Sequence, residues 1–264
     1  MAQAFSPLTS EQAKHVQRTA AEALGLPVTA EIDLGKGVTL KMAFIPPGEF
    51  LMGSPDGEEG RCDTEGPQHS VEIRNGFYIG TYPATQRQWQ GVTGSNPSEF
   101  RGEENPVEQV SWHECQEFIQ KLNLRCNAEL RLPTEAEWEY ACRAGTATRF
   151  YSGDSDSGLG EVAWYGANSG RKTHPAGQKR PNAWGVYDMH GNVWEWCQSL
   201  YKPYPYRADD GRETLTASGD RMLRGGSWFF RASICRSACR ISYDPVSRPG
   251  IFGFRPVAVL SAQE

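Results

Sequence analysis

At 264 residues, 38% hydrophobic and 22% charged, the chain has the composition of a soluble globular protein and the length to bury one large core. Its formal net charge of −5, with no long run of Lys or Arg, excludes nucleic acid as a main partner, because binding a phosphate backbone needs a basic surface. No apolar run approaches the ~20 residues of a membrane helix, so no transmembrane segment is expected.

Residues 1–37 read as an N-terminal helix and a linker. Thr9 and Gln12 have capping-box spacing, Ala13, Val16, Ala20 and Leu24 follow at helical intervals, and Gly25 ends the pattern. "MAQAFSPLTS" has neither the charged nor the apolar region of a secretory signal. A leader or lipoprotein signal removed upstream would put the protein at the cell surface; otherwise a cytoplasmic location is expected.

The main domain is expected over 38–264. "VTLKMAFIPPGEFLMGS" and "HSVEIRNGFYIG" alternate apolar and polar residues between turn signals, as short pairing strands do, around the acidic loop "PDGEEGRCDTEGPQ". Three helices follow, started by Thr85 with Gln88, Ser111 with Glu114 and Thr134 with Glu137. From Gly145 onward only "GVYDMHGNVWEWC" and "GIFGFRPVAVL" are dense enough in apolar residues to be strands. With 28 Gly, 17 Pro and 8 Trp, the chain reads as loop-rich, its irregular backbone pinned by large aromatics.

The seven cysteines (Cys62, Cys115, Cys126, Cys142, Cys197, Cys235, Cys239) include no CxxC pair, so neither a zinc site nor a thioredoxin-type centre is indicated, and buried thiols with room for one disulfide are expected. The five histidines show no ligand spacing, and neither a GxSxG turn nor a phosphate loop is present. "YDMHGNVWEW" places the carboxylates of Asp188 and Glu195 around the carbonyls of Gly191 and Val193. Hard oxygen donors of that kind suit Ca²⁺, or the carboxylates merely cap a turn. Trp184, Trp194, Trp196 and Trp228 read as core anchors more readily than as a stacking platform.

"FIPPGEFLMGS", "NPVEQVSW", "RLPTEAEWEYACRAG", "NAWGVYDMHGNVWEW", "LRGGSW" and "GFR" occur in an order that resembles the formylglycine-generating-enzyme family, also called the sulfatase-modifying-factor family. The resemblance spans about Val38 to Val259. It implies an α+β, C-type lectin-like fold, loop-rich, with short strands and a few helices. It also implies a structural calcium site on Asp188, Gly191, Val193 and Glu195. A second family calcium site needs an Asp-containing stretch after "GANSG", where "RKTHPAGQKRPN" stands. The family's oxidases use two cysteines five positions apart after the Gly-Gly-Ser as copper ligands. Here the loop is shorter, Phe229 and Phe230 open it, and Cys235 and Cys239 are four apart, so no copper and no oxidase activity are expected.

The stretch "RGGSWFFRASICRSACRISYDPVSRPGIFGFRP" suggests another use, within a variable region of about 221–256. It resembles variable proteins of diversity-generating retroelements, in which template adenines are randomised and Asn codons are the main targets. The fixed points of that pattern are Arg224 to Trp228, Cys235 to Ala238, Arg240, Pro245, Arg248 and Gly253 to Arg255. Between them lie seventeen positions: Phe229, Phe230, Arg231, Ala232, Ser233, Ile234, Cys239, Ile241, Ser242, Tyr243, Asp244, Val246, Ser247, Pro249, Gly250, Ile251 and Phe252. Randomising both adenines of AAC excludes Trp, Gln, Met, Lys and Glu, and none of the five occurs at these positions. Aromatic side chains on loops supply contact area with few rotors to freeze, as a binding surface requires. A non-catalytic protein that binds a macromolecular ligand, a protein rather than a sugar, is therefore expected. The alternatives are that Phe229, Phe230 and Phe252 plug a vacated pocket, that Cys235 or Cys239 serves a cysteine-modifying enzyme, or that the loop packs permanently into a scaffold partner.

Overall fold

The computed structural model describes residues 6–126 and 128–259, so the outermost parts of the expected domain limits, 1–5 and 260–264, lie outside the described residues. The elements in chain order are α1 (Ser10–Ala23), β1 (Thr29–Gly35), β2 (Val38–Ile45), β3 (Gly48–Met52), β4 (His69–Ile73), β5 (Phe77–Gly80), α2 (Gln86–Thr93), α3 (Trp112–Asn123), β6 (Glu129–Arg131), α4 (Glu135–Arg143), α5 (Asp156–Val162), β7 (Trp194–Leu200), β8 (Arg221–Arg224), β9 (Arg240–Tyr243), β10 (Phe252–Phe254) and β11 (Val257–Val259).

All four helix starts read from the sequence are real. Thr9, Thr85, Ser111 and Thr134 each form a reciprocal capping box with the residue three positions on, and each cap contributes about 1 kcal/mol. Two expectations are corrected. Residues 29–35 are not a linker but strand β1, paired antiparallel with β2, because Ile32 and Leu34 alternate inward and find a hydrophobic face there. Helix α5, capped by Ser155, was not expected in its glycine-rich surroundings.

A five-stranded sheet of order β1-β2-β5-β11-β6 divides the core. The period-2 geometry of β2 sends Leu40, Met42 and Phe44 to one face, against α2 and α3, and Ala43 and Ile45 to the other, against α4 and α1. On the first face Trp89 and Phe118 stack at 5.1 Å, and both meet the edge of Phe254. Helix α1 is locked to the domain: Gln17 Nε2 donates to the carbonyls of Phe44 (2.7 Å) and Trp184 (3.1 Å), and Trp184 Nε1 donates to Ala13 O. A second sheet, of order β10-β7-β8-β9, holds the C-terminal segment, with β10 parallel to β7. Strands β8 and β9 were not legible in the sequence, since each is a four-residue piece whose partner lies in the other.

Candidate ligand-binding surface

The segment from Arg224 to Pro256 is built on its fixed points. The left-handed turn at Gly225 (φ 103°) and Gly226 (φ 76°) follows β8, and a Cβ at Gly226 would lie 2.5 Å from Cys235 Sγ. At Gly253 the limit is space alone, since a Cβ there would lie 2.5 Å from Val107 O. Four of the fixed arginines are buried and paired, while the fifth, Arg248, is exposed and pairs with Glu114. Arg240 grips Glu135 through two hydrogen bonds of 2.6 and 2.7 Å, and Arg236 grips Glu65 through bonds of 2.7 and 2.5 Å and Glu58 at 2.6 Å. Arg224 pairs with Glu139, and Arg255 meets Glu195 through two bonds of 2.7 Å. These charge-assisted bonds tie the segment to β7, to α4 and to the loop before β4.

Main-chain groups between the fixed points are held as well, by partners that do not depend on the side chain present. The carbonyl of Phe230 accepts from Gly166 N at 2.8 Å, that of Ile251 from Trp194 N at 2.8 Å, and that of Pro245 from Trp112 N at 3.1 Å. Gly250 O accepts from Trp228 Nε1 at 3.1 Å. Side chains can therefore change while the backbone path stays.

The seventeen positions are not equivalent. Phe229 is 52% exposed, Tyr243 47% and Val246 65%, and Arg231, Asp244 and Pro249 are also exposed. Ser233, Ser242, Ser247 and Gly250 are half-buried. Phe230, Ile234, Ile241 and Ile251, also half-buried, pack on one and the same core cluster. Three positions face inward. Phe252 is fully buried in β10 against Trp196 at 5.2 Å, and Cys239 and Ala232 are closed off beneath the loop. These three cannot touch a ligand in this conformation. Phe252 is a core residue, whereas the ring of Phe229 stands edge-on to Trp228 and Phe230 at the surface. Trp184, Trp194 and Trp196 are core, whereas Trp228 is half-exposed.

Residues 35–260 match the model of the sulfatase-modifying factor enzyme 1-like domain. The chain belongs to this family. It is 31% identical to the formylglycine-generating enzyme of Streptomyces coelicolor, over 80% of this chain and 87% of that protein. It is 34% identical to the chaperone protein LppX of Paenibacillus barcinonensis, over 58% of this chain and 69% of that one. Among solved structures, Treponema denticola variable protein 1 superposes with a TM-score of 0.78 at 30% identity, over 88% of this chain and 99% of that chain. PvdO from Pseudomonas aeruginosa superposes with a TM-score of 0.77 at 30% identity, over 88% and 98%.

Within this sulfatase-modifying-factor domain the thiols near the segment are inert by environment. All seven cysteines are free. Burial pushes the Cys239 thiol up to about 12 and that of Cys235 up as well, so neither forms a thiolate near neutral pH. Cys142 lies 3.8 Å from His190 Nε2, the spacing of a nucleophile and its base. That imidazole is already engaged, accepting from Tyr151 N at Nε2 and meeting Cys235 O at Nδ1 (2.8 Å), and burial pushes it down to about 3. A base that weak does not activate a thiol that burial holds near 12.

Of the calcium set read from the sequence, Glu195 is held by protein partners, while Asp188 Oδ1 is buried without a hydrogen-bond partner among the described residues. Both Glu195 oxygens are taken by Arg255, and Oε2 also accepts from Trp138 Nε1 at 2.7 Å. The Arg255 guanidinium further donates to Gly80 O and Tyr187 O. Asp188, at φ 56°, accepts from Gly177 N through Oδ2. Gly191 makes a tight turn, its N–H bonded to Gly225 O and its missing Cβ 2.2 Å from Trp164 O, while Val193 is buried beside Gly253. Among the described residues no group of three or more His, Cys, Asp and Glu side chains is placed to hold a metal ion, and no helix is long and apolar enough to cross a membrane.

Two flanks of the surface escaped the sequence reading. The loop of Tyr165 to Lys172 borders Phe229 and Phe230 through Gly166, with Arg171 and Lys172 exposed. On the other side Phe100, Glu99, Glu108 and Gln109 lie against Trp228 and Gly250. "NPVEQVSW" marks Glu108 and Gln109 as family motif residues, without indicating that they end beside Gly250.

Proposed function

We propose that this protein is a non-catalytic binding protein whose surface from Phe229 to Ile251 recognises a protein ligand and is diversified by a retroelement. The observation behind this reading is the division of labour in the segment. Backbone path and fold are secured by buried arginines, glycines and main-chain bonds, leaving Phe229, Arg231, Tyr243, Asp244, Val246 and Pro249 with exposed side chains. Exposed aromatic and apolar side chains on a rigid frame suit a paratope. Likeness to a solved variable protein over nearly its whole length supports the same reading.

Deep sequencing of codons 221–256 in an expanded population tests it. Variation at the seventeen positions with Arg224, Gly225, Gly226, Trp228 and Gly253 constant is the expected result; a uniform sequence removes diversification from the proposal. A second reading, a cysteine-modifying enzyme, draws on the 31% identity to a formylglycine-generating enzyme. Stoichiometric copper binding with turnover of a cysteine-containing peptide would favour it, against the buried state of Cys235 and Cys239.

A further inference from the structure

Glu108 lies in the connection between α2 and α3, and its side chain is fully buried. Its Oε1 accepts from Phe100 N at 2.9 Å, while Oε2 has no hydrogen-bond partner among the described residues. An unpaired carboxylate oxygen away from water is costly, and such groups are normally satisfied. Above it stands Gly250, one of the variable positions. A Cβ placed there would lie 3.2 Å from Glu99 Oε2, 3.4 Å from Glu108 Oε2 and 3.9 Å from Gln109 Nε2. Two carboxylate oxygens therefore face the volume that a side chain at position 250 would otherwise fill.

Nothing internal serves this pair well. Gln109 reaches Glu99 with a stretched bond of 3.4 Å from a backbone held at φ 61°. Arg101 donates instead to Asn96 O at 2.7 Å, and Arg248 pairs with Glu114 at 3.1 Å. Burial pushes the Glu108 carboxyl up to about 7, and the nearby Glu99 charge adds to the shift. The rim is aromatic: Trp228 holds Gly250 O through Nε1 and meets the edge of Phe100 at 5.2 Å. A planar cation with several parallel donors satisfies two carboxylates at once and tolerates aromatic neighbours, which a neutral amide or a hydroxyl does not.

We infer that Glu108 and Glu99 form a fixed anionic subsite beneath position 250, closed to solvent at Glu108 in the unbound chain, which takes the guanidinium of an arginine on a bound protein through the space that glycine at position 250 leaves free. The inference rests on the reading of the segment as a binding surface and adds a specificity rule to it. Gly250 lies outside the left-handed region, so other side chains can stand there. Asn, Ser, His or Arg at 250 would donate to the same oxygens and close the subsite, and a bulky apolar residue would block it.

The test uses the full chain labelled with ¹³C at glutamate carboxyl carbons, with the two signals assigned through Glu108→Gln and Glu99→Gln. N-acetyl-arginine methylamide is titrated in, and its neutral isostere N-acetyl-citrulline methylamide serves as the control. A saturable shift of both signals with Kd on the order of 1–10 mM is expected, with no response to the citrulline compound and at least a tenfold weakening in Gly250→Leu. Should Gly250→Leu not fold, Gly250→Asn replaces it with the same expectation. Absence of a saturable Glu108 shift, an equal response to citrulline, or an unchanged response in the position-250 variant would overturn the inference. Codon variation without a probe response rejects the subsite alone; a probe response in a uniform population leaves the subsite and rejects diversification.

Discussion

Arg240 and Glu135 face each other through two hydrogen bonds of 2.6 and 2.7 Å with both side chains fully buried, although 105 residues separate them in the chain. The ring of Tyr204 covers the guanidinium at 4.0 Å. This pair fastens β9, inside the segment from Arg224 to Pro256, to α4.

Arg240→Met leaves Glu135 buried without its main partner and is expected to cost about 3–5 kcal/mol. Thermal unfolding should show a midpoint lowered by roughly 10 °C. The double variant Arg240→Met/Glu135→Met should recover much of the loss, since replacing a buried pair costs less than halving it. A single variant as stable as the parent would contradict this role.

Side chains of the segment from Phe229 to Phe252 should separate by burial in unfolding experiments. Phe229→Ser, Arg231→Ser and Val246→Ser are expected to change stability by no more than about 0.5 kcal/mol. Phe252→Ala should cost about 3–5 kcal/mol, through lost contact with Trp196 and Tyr243 and the cavity left behind. Equal costs at all four positions would refute the division between frame and surface.

Thiol reactivity provides an independent check on the inert cysteines. Of the seven, Cys62 is exposed and Cys126 is half-buried, so native protein should show one fast-reacting thiol toward an aromatic disulfide reagent. Cys62→Ser should abolish the fast phase. Rapid modification of Cys235 or Cys239 would mean that the loop opens, reviving an enzymatic role.

The Glu108 carboxyl titrates near 7 in the folded chain against an ordinary value of 4.5. As pH rises, the unfolded state releases this proton first, so Glu108 makes stability fall between about pH 4.5 and 7, with no further loss above. Glu213, also pushed up to about 7 by burial, acts in the same direction. Urea unfolding across this window should show a shallower decline in Glu108→Gln than in the parent. A parallel decline would show that Glu108 ionises freely.

Because Arg255 occupies both oxygens of Glu195, a chelator should leave the thermal midpoint of this protein unchanged, and added calcium should not raise it. A calcium-dependent rise of several degrees would show that Glu195 exchanges its arginine for the ion.

Local chemistry decided much of this molecule. The four capping boxes could be read from Thr9, Thr85, Ser111 and Thr134, because a cap is made by residues three apart and needs no distant partner. The order of the Gly, Arg and Trp motifs likewise announced the family. Tertiary structure alone decided what depends on partners far away in the chain. Strands β1, β8 and β9 exist because each finds a neighbour to complete its hydrogen bonds. Phe229 and Phe252 are the same residue type in the same segment, yet one lies on the surface and the other is buried beside Trp196. Glu195, a candidate calcium ligand by its motif, is committed to an arginine sixty positions later. Burial and charge pairing are properties of the packed whole, so residue identity sets what each side chain can do and the fold selects which of those interactions it makes.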